Sequence, residues 1–258
     1  MRKLAAFLCC TCLYSGIDYS QSVTVTDSLS IDSTAVLRRG SRFDFRGLFI
    51  PVTLVAYGSF GLENDHLQDL NLSIREEVNE HIDQRVSIDD FSQYAPALSV
   101  YVLNGAGVKG LHNFRDRSII MGTSYLIMAG TVLGVKSLTR IERPDGSSVN
   151  SFPSGHTATA FAGAEFLWQE YKDVSVWYGI AGYAVATGTG LFRIYNNRHW
   201  LTDVAAGAGI GILSSKLAYW LYRGFDKGAV ADGKKGSSYM VMPFYDGNYG
   251  GLRLAHSF

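Results

Sequence analysis

The chain has few cysteines, few prolines and no surplus of charge of either sign. All three cysteines (Cys9, Cys10 and Cys12) lie in its first twelve residues, which excludes a disulfide-stapled fold and argues against a Cys/His metal site. Lysine plus arginine and aspartate plus glutamate number 23 each, so no net charge favours a nucleic-acid partner. Five prolines against 28 glycines suit helices that pack closely.

The body of the chain also lacks the alternating apolar pattern that is typical of strands. Six apolar segments occur instead, and several reach the lower length limit for crossing about 30 Å of hydrocarbon. They are Gly47–Leu62, Phe91–Val108, Ser118–Val135, His156–Trp168, Val174–Phe192 and Val204–Tyr222. The sequence therefore predicts an all-α, membrane-embedded bundle of six helices. Within 63–90, the four-residue spacing of Ile74 and Val78 predicts an amphipathic helix, either at a membrane surface or covering the bundle.

The two ends of the chain differ from this central domain, which we place at 47–223. Residues 1–20 begin with Arg2 and Lys3 before a short apolar run, as secretory signals do, and 21–46 are polar enough to form an exposed leader. In the tail, 224–258, Asp246-Gly247 between apolar runs predicts a short β-hairpin.

Basic residues are unevenly distributed among the loops. Clusters precede the first segment, join the second to the third and follow the sixth, so the positive-inside rule places these loops in the cytoplasm. The remaining loops, including 136–155 and 193–203, then face outward, toward the periplasm of a bacterial-type envelope. A cleaved signal would invert this orientation, and we give the summed loop bias more weight. An exported or outer-membrane-associated protein is the alternative location.

Three polar segments, 136–144, 153–156 and 193–203, lie in these outward loops. His199 and Asp203 are four residues apart, so on a helix the carboxylate can fix the imidazole tautomer. Lys136, Arg143 and Arg193 stand on the side where the positive-inside rule disfavours cations, and an anionic ligand such as phosphate would explain them.

The segment Pro153-Ser154-Gly155-His156 opens an apolar helix, and the N–H groups at a helix N-terminus point toward an anion. Ser154 can cap the helix or bind phosphate, and Gly155 allows close approach of the backbone. His156 would stand beside the anion, where it can donate a proton to a leaving group. Alone, each of these patterns has an ordinary structural explanation.

Together, Lys136-x6-Arg143-Pro144, Pro153-Ser154-Gly155-His156 and Arg193-x5-His199-x3-Asp203 resemble the motifs of the type 2 phosphatidic acid phosphatase family. That family shares its helical core with vanadium haloperoxidases and class A acid phosphatases. The resemblance implies that His199, oriented by Asp203, attacks phosphorus while His156 protonates the leaving group. It further implies that Lys136, Arg143, Arg193, Ser154 and Gly155 bind the phosphoryl oxygens. Phe192 stands where the family has serine.

Three functions fit these motifs. The first is a membrane phosphatase for a phosphorylated lipid: phosphatidate, phosphatidylglycerol phosphate, undecaprenyl diphosphate or a lipid A phosphate. It would need no metal or other cofactor, because three fixed cations can neutralise the phosphoryl oxygens. The second is a soluble exported phosphatase or vanadate-dependent haloperoxidase, and the third is a non-catalytic membrane scaffold. The remaining histidines, among them His66 and His112, are expected to face solvent, and Trp200 to serve packing.

Overall fold

Helices build almost the whole of the described protein. The computed structural model describes residues 46–81, 87–230, 238–245 and 250–257, all within one compact unit, Arg42–Phe258. The signal-like segment, the three cysteines and the leader up to residue 45 lie outside the described residues. After a short 3-10 helix, Arg46–Leu48, the helices are α1 (Phe49–Phe60), α2 (Asp65–His81), α3 (Asp89–Ser92), α4 (Ala95–Gly105), α5 (Phe114–Thr139), α6 (Gly155–Tyr171), α7 (Val176–Tyr195) and α8 (Leu201–Val230).

The prediction of six main helices is confirmed. The apolar segments correspond in order to α1, α4, α5, α6, α7 and α8. The amphipathic pattern corresponds to α2, on which Ile74 and Val78 are half-buried while Glu76 and Glu77 are exposed. The last helix continues to Val230, seven residues beyond the boundary predicted at 223.

Helix α8 packs between α1 and α6 through small residues. A side chain at Gly207 would overlap the carbonyl of Ser154, and one at Gly211 would overlap the carbonyl of Ala158. On the other side, a Cβ on Gly58 of α1 would lie 2.6 Å from the Cβ of Ala206. Glycine and alanine thus let the backbones approach closely, as in membrane helix bundles. This approach sets the start of α6 beside the start of α8, where the second and third polar segments end.

Away from those segments, α4, α5, α6 and α8 share an apolar cluster with a polar edge. Val100, Ile120, Phe166 and Tyr219 form part of the cluster. At its edge, Nδ1 of His112 lies 2.6 Å from Oε1 of the buried Glu170. The prediction that His112 faces solvent is therefore wrong, because a buried carboxylate requires a hydrogen-bonding partner.

Two described helices, Phe114–Thr139 and the Leu201–Arg223 part of α8, are long and apolar enough to cross a membrane. The two helices differ in burial: 22% of an 18-residue apolar stretch of α5 is buried inside the protein, against 61% of the corresponding stretch of α8. The α5 side chains Leu126, Leu133 and Leu138 are 76%, 65% and 83% exposed. A soluble protein rarely exposes a helix face of this kind, and a bilayer would cover it.

The predicted hairpin is confirmed as well. Strand β1 (Ser238–Tyr245) pairs antiparallel with β2 (Gly250–Ser257), and Tyr245 is opposite Gly250 in the register. The Asp-Gly turn between them lies outside the described residues.

Candidate active site

The three polar segments meet at one end of the bundle, where His199 is 2% exposed. Its Nδ1 lies 3.4 Å from Oδ2 of Asp203, which is in the first turn of α8. The backbone N–H of Trp200 donates to the same carboxylate oxygen at 3.0 Å, and the Ser151 hydroxyl donates to it as well. These contacts hold Nδ1 of His199 against Asp203, so Nε2 is the ring atom left to react.

Arg193, in the last turn of α7, is held by groups from α3 and from the loop after α7. Its Nη1 donates to Oδ2 of Asp89, and Oδ1 of Asp89 accepts from Nδ2 of Asn196 at 3.0 Å. The Asp89 side chain is 1% exposed and that of Arg193 8%, so the pair is shielded from water. The backbone of Arg193 also orients the nucleophile candidate, because its carbonyl accepts from the N–H of His199 at 3.3 Å.

His156, in the first turn of α6, contacts the neighbouring carboxylate of α3. Its Nε2 lies 2.9 Å from Oδ1 of Asp90, an atom that is also 3.8 Å from Nη1 of Arg193. Asp90 therefore bridges the proposed acid and one of the proposed phosphate ligands. A phosphoryl group that reaches both residues has to replace this carboxylate.

The other two cations are Lys136, in the last turn of α5, and Arg143, in the loop that follows. Lys136 Nζ donates to the carbonyls of Asn150 and Ser151, the second at 3.3 Å. The Nε of Arg143 donates to Oδ1 of Asn150 at 3.0 Å. Because Ser151 also binds Asp203, one stretch of loop connects both cations to the His199 pair.

Ser154 acts as the N-cap of α6. Its hydroxyl accepts from the N–H of Thr157 at 3.5 Å and lies 2.8 Å from the Thr157 hydroxyl, while its own N–H donates to the carbonyl of Asp203 at 3.0 Å. The capping interpretation of Ser154 thus has a clear geometric basis, and its role as a phosphate ligand stays a prediction. Gly155, half-buried at the first position of α6, lies next to His156.

The electrostatics of the site differ for the two histidines. Burial lowers the pKa of His199 to about 4; Asp203 opposes this shift, and the charges of Arg193 and Lys136 add to it. His199 is therefore neutral near pH 7 and has a free lone pair. Burial and the charge of Arg193 also lower the pKa of His156, although Asp90 partly offsets them. A bound phosphate dianion would add negative charge beside His156 and favour its protonated form.

One cluster in the described part of the chain has the donor types of a metal site. Asp89, Asp90 and His156 each offer one ligand atom within 4.8 Å of the others. Asp89 is already neutralised by Arg193, whose guanidinium stands where it would repel a cation. The arrangement is better suited to an ion-pair network that orients Arg193 and His156.

The sequence profile described as the PAP2 superfamily matches residues 118–227, a stretch that contains all three polar segments. This part of the chain is thus similar to the PAP2 superfamily. The prediction from the motifs is thereby confirmed at the level of the family.

The chain is also similar to two bacterial proteins. Over 136 residues it is 43% identical to the lipid A 1-phosphatase of Porphyromonas gingivalis, a match that covers 52% of this chain and 30% of that protein. Over 71 residues it is 35% identical to the bacitracin transport permease protein BcrC of Bacillus licheniformis, which covers 28% of this chain and 33% of that protein. The matched regions thus span about a third of the length of each relative.

Two solved structures show similarity to this chain. Aquifex aeolicus LpxE matches with a TM-score of 0.44 and 22% identity over 58% of this chain and 94% of that one. A PAP2-type phosphatidylglycerolphosphate phosphatase of Bacillus subtilis matches with a TM-score of 0.45 and 23% identity over 70% and 97%.

Sequence reasoning missed the residues that hold the predicted ones in place. Asp89, Asp90 and Ser151 each contact a proposed catalytic or phosphate-binding side chain. The adjacent acidic pair before Phe91 was a visible signal, but nothing in the sequence connects it to Arg193, 104 positions later. Ser151 stands three residues before Ser154 and could have been included in the second segment.

Proposed function

We propose that the chain is a phosphatase that hydrolyses a lipid phosphate or lipid diphosphate through a phosphohistidine on His199. The observation that carries the proposal is the buried, neutral His199, with Nδ1 held by Asp203 and cations on several sides. A surface His–Asp pair would have neither the burial nor the surrounding cations. The exposed apolar face of α5 favours a membrane-embedded enzyme over a soluble one.

In the first step, Nε2 of His199 attacks phosphorus, and the bond from phosphorus to the leaving oxygen breaks. His156 donates its Nε2 proton to that oxygen. In the second step, His156 takes a proton from water, the resulting hydroxide attacks phosphorus, and the phosphorus–nitrogen bond breaks to release inorganic phosphate. Each positioned acid or base of this kind contributes about 10²–10⁴-fold to the rate.

Charge neutralisation falls to Lys136, Arg143 and Arg193, with the N–H of Gly155 as a further donor at the helix N-terminus. These groups would supply the neutralisation that metal ions provide in many phosphoryl-transfer enzymes, so we propose that the reaction needs no metal. Phe192, where the family has serine, packs its ring against Tyr195 at 6.0 Å and offers no hydroxyl to the phosphoryl group.

The substrate classes to test are phosphatidate, phosphatidylglycerol phosphate, undecaprenyl diphosphate and lipid A phosphate. Because the chain is similar to a lipid A 1-phosphatase, lipid A phosphate should be tested first. We further propose a bacterial inner-membrane location, with the site facing the periplasm. Protease accessibility of a site engineered into 144–150, measured in spheroplasts and inverted vesicles, would test that orientation.

The test of activity is phosphate release from these four classes in mixed micelles, with and without EDTA. We expect release from at least one class and equal rates with the chelator. Absence of release from all four would contradict the proposed reaction. Loss of release in EDTA, restored by added Mg²⁺, would contradict the metal-free mechanism alone.

Asp89→Asn should lower kcat about 100-fold, within the range assigned to misplacement of a catalytic group. The substitution keeps the side-chain shape but leaves the buried Arg193 guanidinium without its counter-charge. Breaking a buried ion pair also destabilises the fold, here by about 3 kcal/mol. Phosphate release and thermal unfolding, measured together, separate the two effects.

The matched control is Asp69→Asn on the exposed face of α2, which should change neither quantity. An Asp89→Asn enzyme that retains a third or more of the wild-type kcat would mean that Arg193 does not need this partner.

A further inference from the structure

A cavity and a smaller recess adjoin the proposed active site. A cavity of about 270 Å³ lies between Arg75 of α2, the loop at Arg143 and the indole of Trp200. A smaller recess beside it is lined by His199 and also by Arg75 and Trp200. The cavity therefore begins next to the proposed nucleophile, although none of the three polar segments predicts the contribution of Arg75.

Arg75 is placed as a ligand-binding cation would be. Its guanidinium carbon lies 5.9 Å from the centre of the Trp200 ring, a cation–π distance. Its Nε is buried and has no hydrogen-bond partner among the described residues. An unpaired buried donor is costly, and binding of an anion by the Arg75 guanidinium would offset part of this cost. Trp200 is itself fixed, because its Nε1 donates to the carbonyl of Glu142 at 2.9 Å.

The other charges around the cavity leave its potential positive. Arg143 adds a second guanidinium. Of the two carboxylates that line the cavity, Asp145 accepts from Nη1 of Arg198 at 3.0 Å, and Glu142 is exposed, so water screens its charge. Guanidinium groups bind phosphate oxygens in bidentate fashion, so this pair of arginines suits a phosphoryl ligand.

The size of the cavity limits what it can hold. Pockets for complete drug-sized ligands measure about 300–1,000 Å³. A cavity of about 270 Å³ accommodates a head group or a phosphoryl group, while lipid chains remain outside.

We propose that Arg75, with Arg143 and Trp200, forms a subsite for a second phosphoryl group of the substrate. The inference rests on the proposed function, since it assigns the first phosphoryl group to His199. The subsite would favour substrates with two phosphoryl groups over substrates with one. The second group is either joined directly to the first, as in a diphosphate, or carried elsewhere on the head group.

The test compares binding within two matched pairs: farnesyl phosphate with farnesyl diphosphate, and lipid A 1-phosphate with lipid A that carries two separate phosphates. Dissociation constants are measured in detergent with His199→Ala protein, so that the result does not depend on turnover. Arg75→Gln should weaken binding of the two-phosphoryl member about 10- to 100-fold, as expected for a lost charged hydrogen bond. The one-phosphoryl member should change less than twofold.

If Arg75→Gln weakens binding of farnesyl diphosphate selectively, the second group is part of a diphosphate. If it weakens binding of the doubly phosphorylated lipid A selectively, the second group is a separate phosphate. Either result supports the subsite. Arg75→Lys should restore part of the affinity, and Glu76→Gln, exposed on the same helix, should leave all four constants unchanged. Equal weakening for both members of both pairs, or no weakening in either, would overturn the proposal. Lack of phosphate release by the wild-type enzyme would instead count against the proposed function.

Discussion

His199→Ala should reduce phosphate release by about 10⁴-fold or more, the scale on which loss of a nucleophile acts. With the imidazole removed, no phosphorus–nitrogen bond can form, and the remaining cations can only bind the phosphoryl group. KM should change little, because Lys136, Arg143 and Arg193 keep their contacts with the loop and with Asp89. Initial rates at saturating substrate measure the loss, and thermal unfolding checks that the variant is folded.

The phosphohistidine gives this prediction a second, independent measurement. Wild-type enzyme quenched in acetone and kept at alkaline pH should retain label from a ³²P-labelled substrate, and His199→Ala should retain none. His66→Ala, an exposed histidine of α2, is the control and should behave as wild type. If His199→Ala keeps a tenth of the wild-type rate, His199 is not the nucleophile, and another group has to attack phosphorus.

The acid limb of kcat/KM tests the same residue without mutation. The pKa of His199 is about 4, so the free enzyme should lose activity only as pH falls toward that value, where the lone pair is protonated. An enzyme whose nucleophilic histidine had the ordinary pKa of about 6.5 would lose activity at a pH more than two units higher.

The bundle could be predicted from the sequence because each main helix carries a long apolar run. The helix ends could not. Helix α5 extends over Phe114–Thr139 where the apolar run covered 118–135, since its first turn is charged and its cap is Asn113, which accepts from the N–H of Asp116 at 2.9 Å. Charged residues and caps at helix ends interrupt hydrophobicity but stabilise the helix.

The candidate active-site residues were predicted for a different reason. Their spacing resembles a known family pattern, and the loop charges predict that three cations lie on the side of the membrane where charge rules disfavour them. What this reasoning could not supply was the set of partners. Asp89 reaches Arg193 across 104 residues, and Arg75 reaches Trp200 only because α2 lies over the end of the bundle. Such pairs depend on tertiary packing, which leaves no periodic trace in the sequence.

Trp200 is a residue whose role could not be predicted from the sequence. From the sequence it was expected to serve packing, as an indole next to a helix start commonly does. In the fold its backbone N–H binds Asp203, its ring nitrogen binds the carbonyl of Glu142, and its ring faces Arg75. Trp200 thus connects the proposed nucleophile pair to the cavity beside Arg75.

Asp203→Asn should lower kcat by about 10³–10⁴-fold, similar to the loss when the carboxylate of a Ser-His-Asp triad becomes an amide. Oδ2 of Asp203 lies 3.4 Å from His199 Nδ1 and accepts from Ser151 and from the N–H of Trp200. An amide keeps one acceptor, but its NH₂ can face Nδ1 and move the ring proton to Nε2. The lone pair that attacks phosphorus is then lost, and no charge remains to stabilise the developing imidazolium.

Substrate affinity should survive this change, because the carboxylate itself does not contact the phosphoryl group in the proposed mechanism. Asp116→Asn, at the far end of α5, is the control and should retain full activity. The decisive comparison is the double variant with His199→Ala. If Asp203 acts through His199, the double variant should be no slower than His199→Ala alone, since groups that act as one unit are not additive. A further drop of tenfold or more would place Asp203 in direct contact with the reaction and require a different proton pathway.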